Sequence, residues 1–237
     1  MTVTQRIESV QNKLAEAARA AGRDPGEITL CAATKVQTDD TIREAIAAGI
    51  RVCGENRVQE LTAHLEQNAY AGAEEVHFIG HLQTNKVKQV VGRVDLIQSV
   101  GSLHLLKEIE KQAAKQSLVQ PILLEVNIGK EESKGGCMPE DLPELEELAA
   151  GMEHVRLRGL MAIPPVSEHP GANRPYFAAM YKLFVDIRSK MKDNQSQIDC
   201  LSMGMSADFA DAIAEGATMV RVGTALFGPR PPMGTPR

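Results

Sequence analysis

The stretch Cys31-Ala32-Ala33-Thr34-Lys35-Val36-Gln37 presents one ammonium group at the end of an apolar run that begins at Ile28. A lysine attacks a carbonyl only after losing its proton, and burial among groups such as Ala33, Thr34 and Val36 favours that loss by penalising the charge. Two further groups stand far along the chain, Ser202-Met203-Gly204-Met205-Ser206 and Arg221-Val222-Gly223-Thr224. Ser206-Ala207-Asp208 opens a helical pattern and Thr224 opens a short turn, so free backbone N–H groups from both can point at one anion. Gly204 and Gly223 let the backbone come close to it. A phosphate site opposite a lysine suggests a phosphorylated aldehyde held as a Schiff base, namely pyridoxal 5′-phosphate. The competing readings are a solvated lysine at a strand end, a plain helix cap at Ser206 and ordinary glycine turns.

Arg221 lies in an otherwise apolar run two residues before Gly223, and strand parity places both on one side. A guanidinium there can donate to a pyridine nitrogen and keep it unprotonated, because it does not give up its own proton. The ring is then a weaker electron sink than one paired with a carboxylate. A salt bridge across a barrel rim is the alternative for this arginine.

The elements that must position these groups follow from the hydrophobic pattern. The N-terminal stretch has apolar residues at Val3, Ile7, Val10, Leu14 and Ala18, which is helical spacing without the apolar core of a signal peptide. Apolar strand-like runs then alternate with amphipathic helical patterns: ITLCAAT, IRVCG, VHFIG, VDLIQSV, PILLEVNI, VRLRGLMAI, IDCLSM and ATMVRVG. Strict alternation implies parallel strands joined by crossover helices. Eight such units predict a single-domain (β/α)8 TIM-like barrel over residues 1–228 with an extra N-terminal helix, an open doubly wound sheet being the alternative. In such barrels ligand groups come from the carboxyl ends of the strands, which here offer Lys35, Glu55-Asn56-Arg57, Gly80-His81, Asn127, Met161 to Pro164, and the Ser202 and Arg221 groups. The loop 129–141, GKEESKGGCMPED, is either a cover over the barrel mouth or a solvated connection. Residues 229–237, rich in proline, are expected to be disordered.

Composition narrows the partners. A net charge of -5 gives no basic footprint for nucleic acid, and no run reaches the roughly 18 apolar residues of a membrane span. A small-molecule partner and a cytoplasmic location are therefore expected, with a monomer as the working assumption. The four cysteines lack C-x-x-C spacing and read as buried reduced thiols. His77 and His81 flank Phe78-Ile79 with no third ligand nearby in sequence, so no metal site is expected. No Gly-x-Ser-x-Gly, Walker loop or paired-carboxylate pattern is found.

The stretches AATKVQ, GENRVQE, HFIGHLQTNK, LLEVNIGKEESKGG, RGLMAIPP, LSMGMSADFADAIAEG and VRVGTALFG together resemble the pyridoxal phosphate homeostasis proteins, which are similar to the N-terminal barrel of alanine racemase. The resemblance implies that Lys35 carries the cofactor covalently. It also implies that Ser202, Gly204, Gly223 and Thr224 hold the phosphate, that Arg221 faces the pyridine nitrogen, and that Asn56 and His81 sit near the ring or the substrate side. By the same likeness the protein would buffer or deliver pyridoxal phosphate, with PLP-dependent apo-enzymes as recipients, and affect amino-acid and keto-acid balance. A racemase or lyase of the same fold is the alternative. Racemases of this fold also use a tyrosine from a second domain, and this chain ends about where that domain would begin. Tyr70, Tyr176 and Tyr181 lie in helical patterns away from the strand ends, so turnover is not expected.

Overall fold

Short runs of β-branched and aliphatic residues bounded by Gly, Pro and Asp form the strands, and almost every strand residue is buried because helices cover one face and the barrel interior the other. The computed structural model describes residues 1–167, 169–190 and 197–229. The strands are β1 (Thr29–Ala33), β2 (Val52–Glu55), β3 (Glu75–Phe78), β4 (Leu96–Val100), β5 (Gln120–Val126), β6 (Val155–Ala162), β7 (Cys200–Ser202) and β8 (Met219–Val222). They form a closed barrel in sequence order, every neighbouring pair being parallel. The (β/α)8 expectation holds, and the open sheet is excluded by the β1–β8 pairing that sets Cys31 beside Arg221.

The helices are α1 (Val3–Ala20), α2 (Asp39–Ala47), α3 (Val58–Glu66), α4 (Leu103–Lys115), α5 (Leu142–Ala150), α6 (Arg174–Lys190), α7 (Phe209–Ala214) and α8 (Thr224–Phe227). The extra helix is α1. Thr2 and Gln5 close its first turn as a capping box, and Ile7, Val10, Leu14 and Ala18 form its buried face. It packs against α7, α8 and α2, filling the outer layer where α8 has only four residues. After β3 the crossover is a 3-10 helix over Thr84–Gln89 rather than an α-helix. Gly92, at φ 75°, turns the chain toward β4 before another helical turn can form.

Inside the barrel Cys31, Val52, Ile79, Leu96, Leu123, Met161, Cys200 and Met219 form one apolar cluster. The larger core lies between the barrel and its helices. All four cysteines are reduced and buried, and burial pushes the thiols of Cys53, Cys137 and Cys200 up to about 12, which leaves them unreactive at neutral pH. No described helix is long and apolar enough to cross a membrane. The tail expected to be disordered lies outside the described residues except for Pro229.

Candidate functional site

Lys35 lies just beyond β1 in a four-residue turn, closed by the Gln37 N–H donating to the Thr34 carbonyl at 3.0 Å. The third residue of that turn, Val36, has φ 65°, a left-handed conformation that β-branched residues rarely adopt. The strain is held from outside the turn. Glu60 on α3 accepts the Val36 N–H at 2.8 Å, while the Thr34 N–H donates to the Gly54 carbonyl at 2.9 Å. The turn is thus held on both sides of Lys35, whose side chain is half-buried.

Beneath the turn sits Glu55, fully buried at the end of β2. Its carboxylate accepts from the Asn56 N–H at 2.7 Å, the Thr34 hydroxyl at 3.1 Å and the Tyr70 hydroxyl at 3.3 Å. Burial raises its pKa, and the Asn56 and Thr34 bonds oppose that rise. The carboxylate ties the β1 turn to the β2 loop and so sets Lys35 beside Asn56. Sequence reading named Glu55 only as a strand-end residue, and its part in positioning the lysine turn depends on donors from three separate segments. Tyr70 lies in the turn after α3 rather than in a helix, with its hydroxyl committed to Glu55.

Gly80 shows how closely these loops pack. A Cβ there would lie 2.0 Å from the Asn56 carbonyl oxygen, so the β2 loop can pass only over glycine. Gly80→Ala is expected to displace Asn56 and cost about 1–3 kcal/mol or more by overpacking. Thermal denaturation would register this as a fall of roughly 3–10 °C for a chain of this size.

At the carboxyl ends of the strands a cavity of about 260 Å3 is lined by Lys35, Asn56, Ser206, Arg221, Gly223 and Thr224, with Ala33, Ile79, Ile163 and Phe227 as apolar walls. It lies just below the usual range for small-molecule pockets, roughly 300–1,000 Å3. A larger cavity of about 690 Å3 opens at the opposite end. There the polar groups satisfy one another, since Arg158 pairs with Asp199 at 2.7 Å and Glu75 with His77 at 2.6 Å. At the Lys35 end they do not. Asn56 Oδ1 is buried without a partner, and the N–H groups of Ser206, Ala207 and Thr224 have no acceptor among the described residues.

The structure brings together Lys35, Asn56, Arg221, Gly223 and Thr224, but not the other three residues named from sequence. Ser202 is fully buried inside the barrel, where its hydroxyl receives Arg221 Nη1 at 2.6 Å and donates to Gln98 Oε1 at 2.7 Å. Gly204, at φ 91°, supports the β7 loop from behind. Its carbonyl accepts from the Arg221 N–H at 3.0 Å, and a Cβ there would lie 2.5 Å from that of Ala212. His81 is exposed and lines a different cavity. Ser206, in contrast, does line the lysine cavity, in a turn that precedes α7 rather than in the helix itself. Its Oγ accepts from the Ala225 N–H at 3.3 Å, which joins the loops after β7 and β8 and leaves the hydroxyl proton able to donate.

Arg221 forms the floor of the cavity, only 5% exposed. Besides Ser202 it donates through Nη2 to the Ala162 carbonyl at 2.9 Å. Burial lowers its pKa, yet guanidinium starts so high that the group stays charged.

Residues 8–231 match the family described as alanine racemase, N-terminal domain. A pyridoxal phosphate homeostasis protein of Aquifex aeolicus (strain VF5) is 44% identical over 230 residues, spanning 97% of this chain and 99% of that one. The chain belongs to the pyridoxal phosphate homeostasis protein family. A crystal structure of a protein from Bifidobacterium adolescentis has a TM-score of 0.89 to it at 37% identity, covering 95% of this chain and 94% of that one. The PipY protein of Synechococcus elongatus PCC7942, solved with PLP bound, has a TM-score of 0.81 at 33% identity, with 96% and 100% covered.

Proposed function

We propose that the chain binds pyridoxal 5′-phosphate through a Schiff-base link to Lys35 and serves in intracellular handling of that cofactor, as a buffer or carrier affecting amino-acid and keto-acid balance. On this reading it acts in the cytoplasm as a monomer, with PLP-dependent apo-enzymes as recipients. The observation that carries the reading is the convergence of Lys35, an unpaired set of N–H donors and a buried guanidinium in one small cavity. The binding of PLP by PipY, a relative matched over nearly the whole chain, supports it.

The residues present suit the group. The open N–H groups of Ser206, Ala207 and Thr224, with the Ser206 hydroxyl, offer an anion cradle for the phosphate. Gly223 leaves room above it, its added Cβ meeting nothing nearer than 3.4 Å. Two of the five N–H donors of Arg221 are used inside the barrel, so others remain for a ring nitrogen. Asn56 Oδ1, a buried acceptor without a donor among the described residues, suits a hydroxyl or ammonium group of a ligand. When bound, the cofactor supplies an electron sink for carbanion chemistry at an amino acid. Arg221 weakens that sink by holding the ring nitrogen unprotonated.

The experiment is to titrate the cofactor-free chain with pyridoxal 5′-phosphate, record the visible spectrum, then reduce with borohydride and map the modified peptide. A Schiff-base band and an adduct on Lys35 are expected. Binding without a band, or an adduct on another lysine, would overturn the covalent assignment. Racemisation of alanine that disappears in Lys35→Ala would overturn the binding-only reading in favour of an enzyme.

A further inference from the structure

A second cavity, of about 340 Å3, opens at the carboxyl ends of β4 and β5. It shares no lining residue with the lysine cavity. Its wall carries Ser99 from β4, Glu125 from β5, His81 from the loop after β3, and Gly135 and Gly136 from the 129–141 loop. Nothing in the Lys35 chemistry uses these groups.

Two of them are buried residues whose polar side-chain atoms have no hydrogen-bond donor or acceptor among the described residues. Ser99 is 4% exposed and its hydroxyl makes no hydrogen bond to the described residues. Glu125 is 8% exposed, and no N–H or O–H of the described residues donates to its carboxylate. A buried carboxylate lacking a hydrogen-bond donor is costly to keep. Burial accordingly raises its pKa, with Arg221 and then His81 opposing the rise.

The space beside the carboxylate is built into the backbone. The 129–141 loop is pinned along β5, the Cys137 N–H donating to the Glu125 carbonyl at 2.9 Å and the Asn127 N–H to the Cys137 carbonyl at 2.8 Å. Gly136 has φ 98°, and a Cβ on it would lie 2.7 Å from the Asn127 nitrogen. A Cβ on Gly135 would come within 3.3 Å of both Glu125 oxygens. The paired glycines bring the loop against β5 and leave the carboxylate uncovered.

We propose that this cavity binds a small primary-ammonium compound, with the ammonium held between the Glu125 carboxylate and the Ser99 hydroxyl. An ammonium supplies three N–H donors and a positive charge, and so satisfies both orphaned groups at once. A neutral alcohol supplies no charge, and an anion would face the carboxylate. The site does not rest on pyridoxal phosphate binding, and the test uses the chain without that cofactor.

Ethanolamine is titrated into the full cofactor-free chain and followed by calorimetry or saturation-transfer NMR, with ethylene glycol and acetate as probes of similar size. Saturable ethanolamine binding is expected, tighter than that of ethylene glycol by at least about tenfold, the effect of one charge-assisted hydrogen bond. Acetate is expected not to bind. Glu125→Gln should erase the preference for ethanolamine, and Ser99→Ala should weaken binding while leaving the melting temperature unchanged or higher, because the lost hydroxyl makes no bond in the folded chain. Equal affinity for ethanolamine and ethylene glycol in the wild type, or a preference that survives Glu125→Gln, would overturn the proposal.

Discussion

Lys35→Ala is expected to abolish the visible Schiff-base band and the borohydride-fixed adduct, and to weaken pyridoxal 5′-phosphate binding by about a hundredfold, equivalent to about 2.7 kcal/mol. Pyridoxine 5′-phosphate, which carries an alcohol in place of the aldehyde, cannot form the bond. Its affinity should change by less than about threefold, since the phosphate cradle and Arg221 remain in place. Lys35 is half-buried and the turn around it is held by Thr34, Glu55 and Glu60. Melting should therefore move by no more than a degree or two, the effect of about 0.5 kcal/mol. The paired ligands separate two roles for one lysine. Equal losses for both compounds would make Lys35 a charge that attracts phosphate rather than the residue that bonds the aldehyde.

Much of this architecture is written in the residue pattern. Buried parallel strands read as short apolar runs, and the runs recur with helical segments between them, so the barrel and its carboxyl-end residues follow from spacing. Strand parity also put Arg221 on one side with Gly223, and both line the lysine cavity. Parity fails where a strand ends sooner than its apolar run. The run IDCLSM extends through Met203, but β7 stops at Ser202, inside the barrel. Ser202 therefore looks into the interior, and the hydroxyl at the mouth belongs to Ser206, four residues later. Val36 could not be read at all, because a β-branched residue in a left-handed turn contradicts its own preference, and the Glu60 contact helps to hold it there. Asn127 was legible as a strand-end amide but serves the chain itself. Its side chain donates to the Glu131 carbonyl at 2.8 Å and accepts the Glu131 N–H at 3.1 Å, which leaves it to fasten the loop that walls the second cavity.

The two serines give opposite expected phenotypes, and together they locate the anion site. Ser202 joins Arg221 to a polar chain through the barrel, continuing from Gln98 to His77 at 2.9 Å and from His77 to Glu75 at 2.6 Å. Ser202→Ala leaves Gln98 Oε1 and one guanidinium donor buried without partners, at about 1–3 kcal/mol each for an unsatisfied group. Melting should fall by roughly 4–20 °C. The fall in phosphate affinity should be slight, because Ser202 does not reach the cavity. Ser206→Ala removes a hydroxyl that lines the cavity and is only partly buried, and whose one bond within the chain, to the Ala225 N–H, is long at 3.3 Å. Its melting temperature should stay within about 2 °C. Inorganic phosphate and pyridoxine 5′-phosphate should each bind roughly tenfold more weakly, the loss of one hydrogen bond to a charged group. Calorimetry and thermal melting on the two variants decide the matter. The reverse pattern, with phosphate affinity lost in Ser202→Ala and kept in Ser206→Ala, would mean that the Arg221–Ser202 bond opens on binding and that the anion reaches into the barrel.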